Sequence, residues 1–399
     1  MRKKFSLLIF AVILFFVSAT QAAEPAPTIT ADSAILVEAS TGRVLYEKNA
    51  DIVRPPASLT KMMTCIIGLE KLSPQSEIVA SQNAAYTDFS TLSLNAGDII
   101  NSYQLLTGMM LVSDNGGAVA VAENIAGSVP AFATMMNEKA REIGCENTNF
   151  VNPNGLPNSA HVSTARDMAK IARYCMQNEN FRQIVSTQKA IVNWTNPAGR
   201  TMLCENTNEL LYKDARSKIR VPYNPAEITG IKTGYTDLGG GCLAASAKRG
   251  DIELIAIVLH SIDMDARFDD AAKLLNYGFE NIKMTQPIKR NTVNKIAFVR
   301  GGEKATVNIS FGEDLDFPLF AGEDPQNFSV TYELPQFVDA GIEKGQVIGK
   351  AVLTYDEKTV ATVPLVARES VKKGFSLTSK IVGWTEPIFL FAQNYWSNA

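Results

Sequence analysis

ITGIKTGYT (residues 228–236), CLAASAK (242–248) and IELIAIVLH (252–260), followed by ARFDDAAKLLNYGFE (266–280), form the stretch on which the fold turns. The first three runs are rich in apolar and β-branched residues and are separated by short breaks, so they predict three successive strands. The fourth predicts a helix that closes the unit. Near the other end of the chain, Ser33 to Glu38 and Arg43 to Glu47 flank Ala39-Ser40-Thr41-Gly42 and predict a β-hairpin. The residues between these strand regions have a helical texture. Pro55-Pro56-Ala57 stops the extended chain and presets a helix beginning near Ser58. From Leu59 to Leu72 that helix is apolar on nearly every side, with Met62, Met63, Cys65, Ile66 and Ile67, and such a helix belongs inside a domain. Two further helices flank Ser113, and another runs from Thr164 to Met176. Strands at both ends with helices between them predict an α+β fold. One antiparallel sheet is assembled from distant segments beside an α-helical cluster, and their interface is a natural place for a cleft.

Beyond Gln286-Pro287 the pattern becomes short and alternating, as in Lys295 to Val299 and Ala305 to Ile309. Glu343-Lys344-Gly345 and Tyr355-Asp356-Glu357 read as turns. Residues 286–371 are therefore expected to form a small all-β domain after a principal domain over 29–285. In residues 372–399, Ile381, Trp384, Ile388, Phe391 and Tyr395 follow helical spacing behind Lys372, Lys373 and Lys380. This predicts a C-terminal amphipathic helix lying at a membrane surface; the alternative is a terminal helix packed on its own domain. At the other end, Met1-Arg2-Lys3-Lys4, an apolar run from Phe5 to Val17 and a small-residue exit read as a signal peptide over residues 1–22. The expected location is the periplasm or the outer face of the cytoplasmic membrane.

Composition narrows the function classes. A formal net charge of −3 argues against nucleic acid as a partner. The five cysteines show neither close pairing nor metal-ligand spacing, and Cys65 and Cys175 read as small buried residues. The two histidines, His161 and His260, have no patterned acidic or cysteinyl neighbours and are expected to be structural. Neither a His-Glu-x-x-His nor a Gly-x-Ser-x-Gly motif occurs, which disfavours a zinc peptidase and a Ser-His-Asp hydrolase.

Three short motifs stand in a fixed order: Ser58-Leu59-Thr60-Lys61, Ser113-Asp114-Asn115 and Lys232-Thr233-Gly234. Each alone is weak; their order and setting match the signature of serine acyl-transferases whose base is a lysine. One helical turn separates Ser58 from Lys61, so an ammonium group can reach the hydroxyl. A serine hydroxyl is a poor nucleophile until a base takes its proton. Lysine can serve if burial and a nearby cation, here Lys232, lower its pKa. The Ser113-Asp114-Asn115 loop could face Ser58 or could be an ordinary helix N-cap. Lys232 could equally be a solvated strand residue. A side chain at Gly234 would block a substrate laid along that strand.

With Pro56-Ala57-Ser58-Leu59-Thr60-Lys61, Phe150 to Leu156, Ser163-Thr164-Ala165-Arg166-Asp167 and Lys232-Thr233-Gly234-Tyr235-Thr236, the chain resembles a family. It is similar to the low-molecular-mass penicillin-binding proteins of the D-alanyl-D-alanine carboxypeptidase family, from about residue 30 to the tail. The resemblance implies a β-lactamase/transpeptidase-like fold and removal of the terminal D-alanine from peptidoglycan stem peptides ending in D-Ala-D-Ala. It also implies inhibition by β-lactam antibiotics. Ser58 would be the nucleophile and Lys61 the general base. Ser113 would return a proton to the leaving D-alanine, Asn115 would hold Lys61 and the substrate amide, and Lys232 would tune the field. The backbone N–H groups of Ser58 and Tyr235 would form the oxyanion hole, and Thr233, Gly234 and Arg267 would bind the substrate's end. No metal or organic cofactor is implied. Asp114 departs from the Gly common in this family and makes the deacylation rate the open quantity.

Rival readings are a class A-like β-lactamase, a D,D-endopeptidase and a catalytically weak peptidoglycan-binding protein. Glu146-Asn147-Thr148-Asn149 superficially offers the first of these a deacylating base, but Glu146 reads as a solvated turn residue.

Overall fold

The computed structural model describes residues 25–214, 218–292 and 295–376. At its centre lies the strand Ile252–Ser261, third in an antiparallel five-stranded sheet ordered Val44–Lys48, Ser33–Glu38, Ile252–Ser261, Gly240–Arg249, Ile228–Thr236. Leu254, Ala256 and Val258 point to one face, where the helix Ala266–Asn281 covers them with Phe268, Leu274 and Leu275. Ile255, Ile257 and Leu259 point to the other face, toward Met62, Met63 and Ile66 of the helix Lys61–Lys71. Both faces are covered, so the strand reads as an unbroken apolar run rather than an alternating one. Each large side chain buried this way contributes about 1.5–3 kcal/mol relative to exposure.

The helix Lys61–Lys71 sits in the middle of the helical cluster, packed by Ser102–Leu111, Asn115–Ala126 and Ala165–Cys175. It starts later than the sequence predicts. Residues Ala57–Thr60 form a 3₁₀ turn, and Ala57 has a left-handed φ of 47° that no α-helix accommodates. Two small antiparallel pairs interrupt the helical region, Glu77–Val79 with Ile99–Asn101 and Lys189–Asn193 with Thr201–Glu205. They are too short to print a clear alternation on the sequence.

The β region begins ahead of residue 286, because Ile282–Ile288 leaves the preceding helix directly and pairs with Leu315–Phe320. It continues as a six-stranded sheet ordered Phe328–Glu333, Val347–Tyr355, Lys358–Ala367, Thr306–Phe311, Lys295–Arg300, Phe337–Asp339. Its own core gathers Ala297, Val299, Val307, Ile309, Leu353, Val363 and Leu365, the inward half of each alternating run. Arg43 joins the two regions. Its guanidinium donates to the Pro318 carbonyl, pairs with Glu323 and lies 5.4 Å from the Phe317 ring centroid. The expected signal peptide and residues 377–399 of the expected tail lie outside the described residues.

Candidate active site

The edge strand Ile228–Thr236 and the turn Ala57–Thr60 approach one another at the border between sheet and helices. Gly234 allows the approach: a Cβ there would lie 3.1 Å from the Ser58 nitrogen and 3.3 Å from the Ala57 Cβ. On the other side of the turn, a Cβ on Gly155 would fall 2.0 Å from the Ala57 carbonyl oxygen, and Gly155 itself has φ +87°. Only glycine fits that second position.

Ser58 is half-buried at the floor of a cleft of ≈ 460 Å³, whose walls include Phe89, Ser113, Asn115, Thr233, Tyr235 and Arg267. Lys61 is fully buried. Its Nζ lies 3.0 Å from Ser58 Oγ, 2.7 Å from Asn115 Oδ1 and 2.7 Å from the Asn154 carbonyl oxygen. Burial lowers the Lys61 pKa to about 7, against a smaller upward pull from the Asp114 carboxylate. The expected neighbour Lys232 is also buried and donates to the Thr233 carbonyl at 3.0 Å. Its pKa is held well below the usual lysine range, by burial first and then by the charges of Lys61 and Arg267. The sequence predicts that Lys232 helps lower the Lys61 pKa; in the structure burial is the lowering cause at Lys61, and the repulsion is carried by Lys232.

The middle motif divides its labour. Asn115 accepts from Lys61 through Oδ1, while its Nδ2 donates to the Asp88 carbonyl at 2.8 Å. One of its amide protons is thus committed to the neighbouring loop rather than to a substrate amide. Asp114 is the N-cap. Its carboxylate accepts from the Gly117 nitrogen and, at 2.7 Å, from the Leu92 nitrogen, and it is fully buried. The cap alternative therefore holds for Asp114, while its two neighbours face the cleft. Ser113 stands between the helices with φ +60° and lines the cleft, but its hydroxyl makes no hydrogen bond to Lys61, Ser58 or Lys232.

Arg267 is 6% exposed and donates through Nη1 to the Gly234 carbonyl at 2.8 Å, while its Nε has no partner. Burial weakens its hold on its proton. Thr233 Oγ1 shares a 2.6 Å hydrogen bond with Thr207 Oγ1, and both residues line the cleft. Tyr235 is half exposed at the mouth. Lys61, Lys232 and Arg267 thus converge without a salt bridge to any carboxylate among the described residues, and Arg267 in the cleft wall suits it to an anionic ligand. Glu146 is exposed and is not among the lining residues; its backbone nitrogen is held by Asp167.

Three contributors escaped the sequence reading. The Asn154 carbonyl could have been suspected from Asn154-Gly155, a turn dipeptide that turns a carbonyl inward. The Asp88 carbonyl and Thr207 left no signal, because a backbone oxygen and a lone threonine carry none.

Comparison with known proteins shows two family matches. Residues 19–262 match the D-alanyl-D-alanine carboxypeptidase family, and residues 283–373 match the C-terminal domain of penicillin-binding protein 5. The chain is 32% identical over 354 residues to the D-alanyl-D-alanine carboxypeptidase DacF of Bacillus subtilis, covering 87% of each chain. It is 30% identical over 376 residues to the D-alanyl-D-alanine carboxypeptidase DacA of Escherichia coli, covering 91% of this chain and 89% of that one. Penicillin-binding protein 5 from Haemophilus influenzae superposes with a TM-score of 0.69 at 29% identity, over 88% of this chain and 100% of the other.

Proposed function

The chain belongs to the D-alanyl-D-alanine carboxypeptidase family and is a serine D,D-carboxypeptidase, and from that premise we propose how its own residues perform the reaction. Ser58 Oγ attacks the carbonyl of the D-Ala-D-Ala bond of a peptidoglycan stem peptide. Lys61 takes the serine proton. The observation that carries this reading is the fully buried Lys61 Nζ, 3.0 Å from Ser58 Oγ with acceptors at 2.7 Å on two other sides. A neutral amine has two protons and one lone pair. Asn115 Oδ1 and the Asn154 carbonyl can only accept, so they take the two protons and aim the lone pair at the Ser58 hydroxyl.

The tetrahedral oxyanion is stabilised by the backbone N–H groups of Ser58 and Tyr235, which the glycine at 234 leaves unobstructed. As the C–N bond breaks, the proton held on Lys61 passes to the departing D-alanine amine, with Ser113 as the intermediate hydroxyl. Water then hydrolyses the ester on Ser58 and returns the hydroxyl. Lys232 tunes the field around Lys61. Arg267 and Thr233 bind the free carboxylate of the terminal residue, and their shared place in the cleft wall supports this role. A β-lactam carries the same carboxylate and a reactive carbonyl, so it acylates Ser58 as well.

The basic-then-apolar start of the chain supports export, and the Trp- and Tyr-containing tail after Lys372 and Lys373 supports attachment to the outer face of the membrane. Both are tested by fractionation, with truncation after Phe375 expected to release an active protein. Continued sedimentation of the truncated chain with membranes would contradict the anchor. The reaction is tested by incubating the purified protein with penicillin and, separately, with a peptide ending in D-Ala-D-Ala. A penicilloyl adduct on Ser58 together with D-alanine release is the expected result. Rapid loss of the adduct with the peptide left intact would instead indicate a β-lactamase.

A further inference from the structure

Ser58 follows a residue whose backbone is strained. Ala57 has φ +47°, in the left-handed region that alanine seldom occupies, and it is almost completely buried. Strain of this kind persists only where the surroundings over-determine it. One constraint is the packing of Gly155 on the Ala57 carbonyl. A second is a hydrogen-bonded chain that leaves the active site on its buried side. Thr60 Oγ1 donates to the Ala57 carbonyl at 2.8 Å, and the same oxygen lies 2.7 Å from His161 Nε2. The other ring nitrogen, His161 Nδ1, accepts from the Val151 nitrogen at 3.1 Å. Thr60 is fully buried and His161 is 2% exposed, its ring tilted against Phe150 at 5.6 Å.

The proton positions in this chain follow from its ends. A carbonyl can only accept, so the single Thr60 hydroxyl proton goes to Ala57. A backbone N–H can only donate, so His161 Nδ1 must be unprotonated. Both conditions require the neutral tautomer with its proton on Nε2, donated to Thr60. Burial and the nearby Lys61 charge favour the neutral ring, lowering the His161 pKa to about 4. The chain closes without an unsatisfied member, and it reaches the peptide that carries the Ser58 N–H. Only Leu59 separates Thr60 from the nucleophile.

We propose that His161 is a positioning residue for the nucleophile. Through Thr60 it fixes the Ala57 carbonyl, and thereby the direction of both the Ser58 hydroxyl and the Ser58 N–H. It touches neither substrate nor reacting atoms. The proposal rests on the assignment of Ser58 as nucleophile. A misplacement of about 1 Å at such a centre costs on the order of 100-fold in rate, so the effect belongs to the chemical step rather than to binding.

Two isosteric variants separate positioning from mere packing. In His161→Gln the amide nitrogen reaches the Nε2 position and keeps a donor for Thr60. In His161→Asn the amide oxygen reaches the Nδ1 position and keeps the acceptor for Val151, but the donor to Thr60 is lost. We expect His161→Asn to acylate with penicillin about 10- to 100-fold more slowly than wild type, with KM for the D-Ala-D-Ala peptide within a few-fold. His161→Gln should recover most of that rate even if both variants melt at the same lowered temperature. Thr60→Val should reproduce the Asn phenotype, Thr60→Ser should not, and the Asn/Val double variant should be no slower than either single one. Equal rates for Asn and Gln, or losses that appear in KM alone, would overturn the proposal. A wild-type protein that forms no adduct on Ser58 would overturn the nucleophile assignment and this proposal together.

Discussion

Two sets of buried charges in this molecule are built on opposite rules. Away from the cleft, buried carboxylates are held by an arginine or by converging neutral donors. Arg182 forms a two-pronged pair with Glu253 at 2.8 and 2.7 Å, Asp98 takes donors from Trp194 and Arg200 at 3.1 and 2.6 Å, and Asp270 accepts from Thr30, Ala31 and Ser261. At the cleft, Lys61, Lys232 and Arg267 are likewise buried, yet among the described residues they rest only on uncharged acceptors. Burial with a matching charge pins the scaffold. Burial without one lowers an ammonium toward neutrality and leaves a guanidinium ready for a ligand. The difference marks which charges serve chemistry and which serve architecture.

The comparison is broken most sharply at Ser58 and Lys61. Ser58→Ala should abolish D-alanine release and penicilloyl adduct formation while the melting curve stays near wild type; retained release would sink the mechanism. Lys61→Met, which keeps the stem but removes the base, should lower the acylation rate by about 10²- to 10⁴-fold, read by quenched-flow mass spectrometry.

Next comes the cation meant for a ligand. Arg267→Gln should lower kcat/KM for a peptide with a free C-terminal carboxylate on the order of 100-fold, yet change little for the same peptide ending in an amide. An equal loss on both peptides would make Arg267 a packing residue.

The matched set should answer in the opposite currency. Glu253→Gln removes one partner of a pair whose arginine is partly solvated, so about 1–2 kcal/mol of stability should be lost in urea titration. The kcat/KM of the folded fraction should stay within a few-fold. A loss of activity without a loss of stability would erase the distinction between the two sets.

The smallest effect expected is at Asp114, which belongs to both. Its carboxylate caps a helix and pulls the Lys61 pKa upward. Asp114→Asn should therefore move the rising limb of the pH–acylation profile to lower pH. It should also cost about 1 kcal/mol of stability, because an amide oxygen can still cap Gly117 but its NH2 cannot accept from the Leu92 nitrogen. A shift to higher pH would contradict the placement of that charge.

How much of this was legible beforehand depended on whether a feature lives in side-chain type or in backbone position. The sheet and its covering helix were readable, because Leu254 to Leu259 are apolar on both faces and Phe268, Leu274 and Leu275 follow helical spacing. Ser58, Lys61, Asn115, Lys232 and Arg267 were readable as residue types, and the fold brings Ser58, Asn115 and Arg267 into one cleft with Lys61 and Lys232 buried beside them. The 3₁₀ turn ahead of Lys61 was not, since nothing in Ala57 announces a positive φ. Nor was the acceptor at Asp88, a carbonyl that any residue supplies, while the one at Asn154 was hinted at only by the Asn154-Gly155 turn. Asp114 was legible as a possible cap, and only the contact with Leu92 revealed a second, distant tie. His161 read as structural because no acidic or cysteinyl residue accompanies it in sequence; its partner Thr60 is 101 positions away.

The central claim is that Lys61, neutralised by burial, is the base for Ser58. It is tested most directly by the pH dependence of Ser58 acylation by penicillin, measured under single-turnover conditions by mass spectrometry of the adduct. A protonated lysine cannot accept the serine proton, so the rate should climb as pH rises through about 7 and level off above it. A rate that is flat from pH 5 to pH 9, or one that climbs only near the ordinary lysine pKa of about 10.4, would contradict the account.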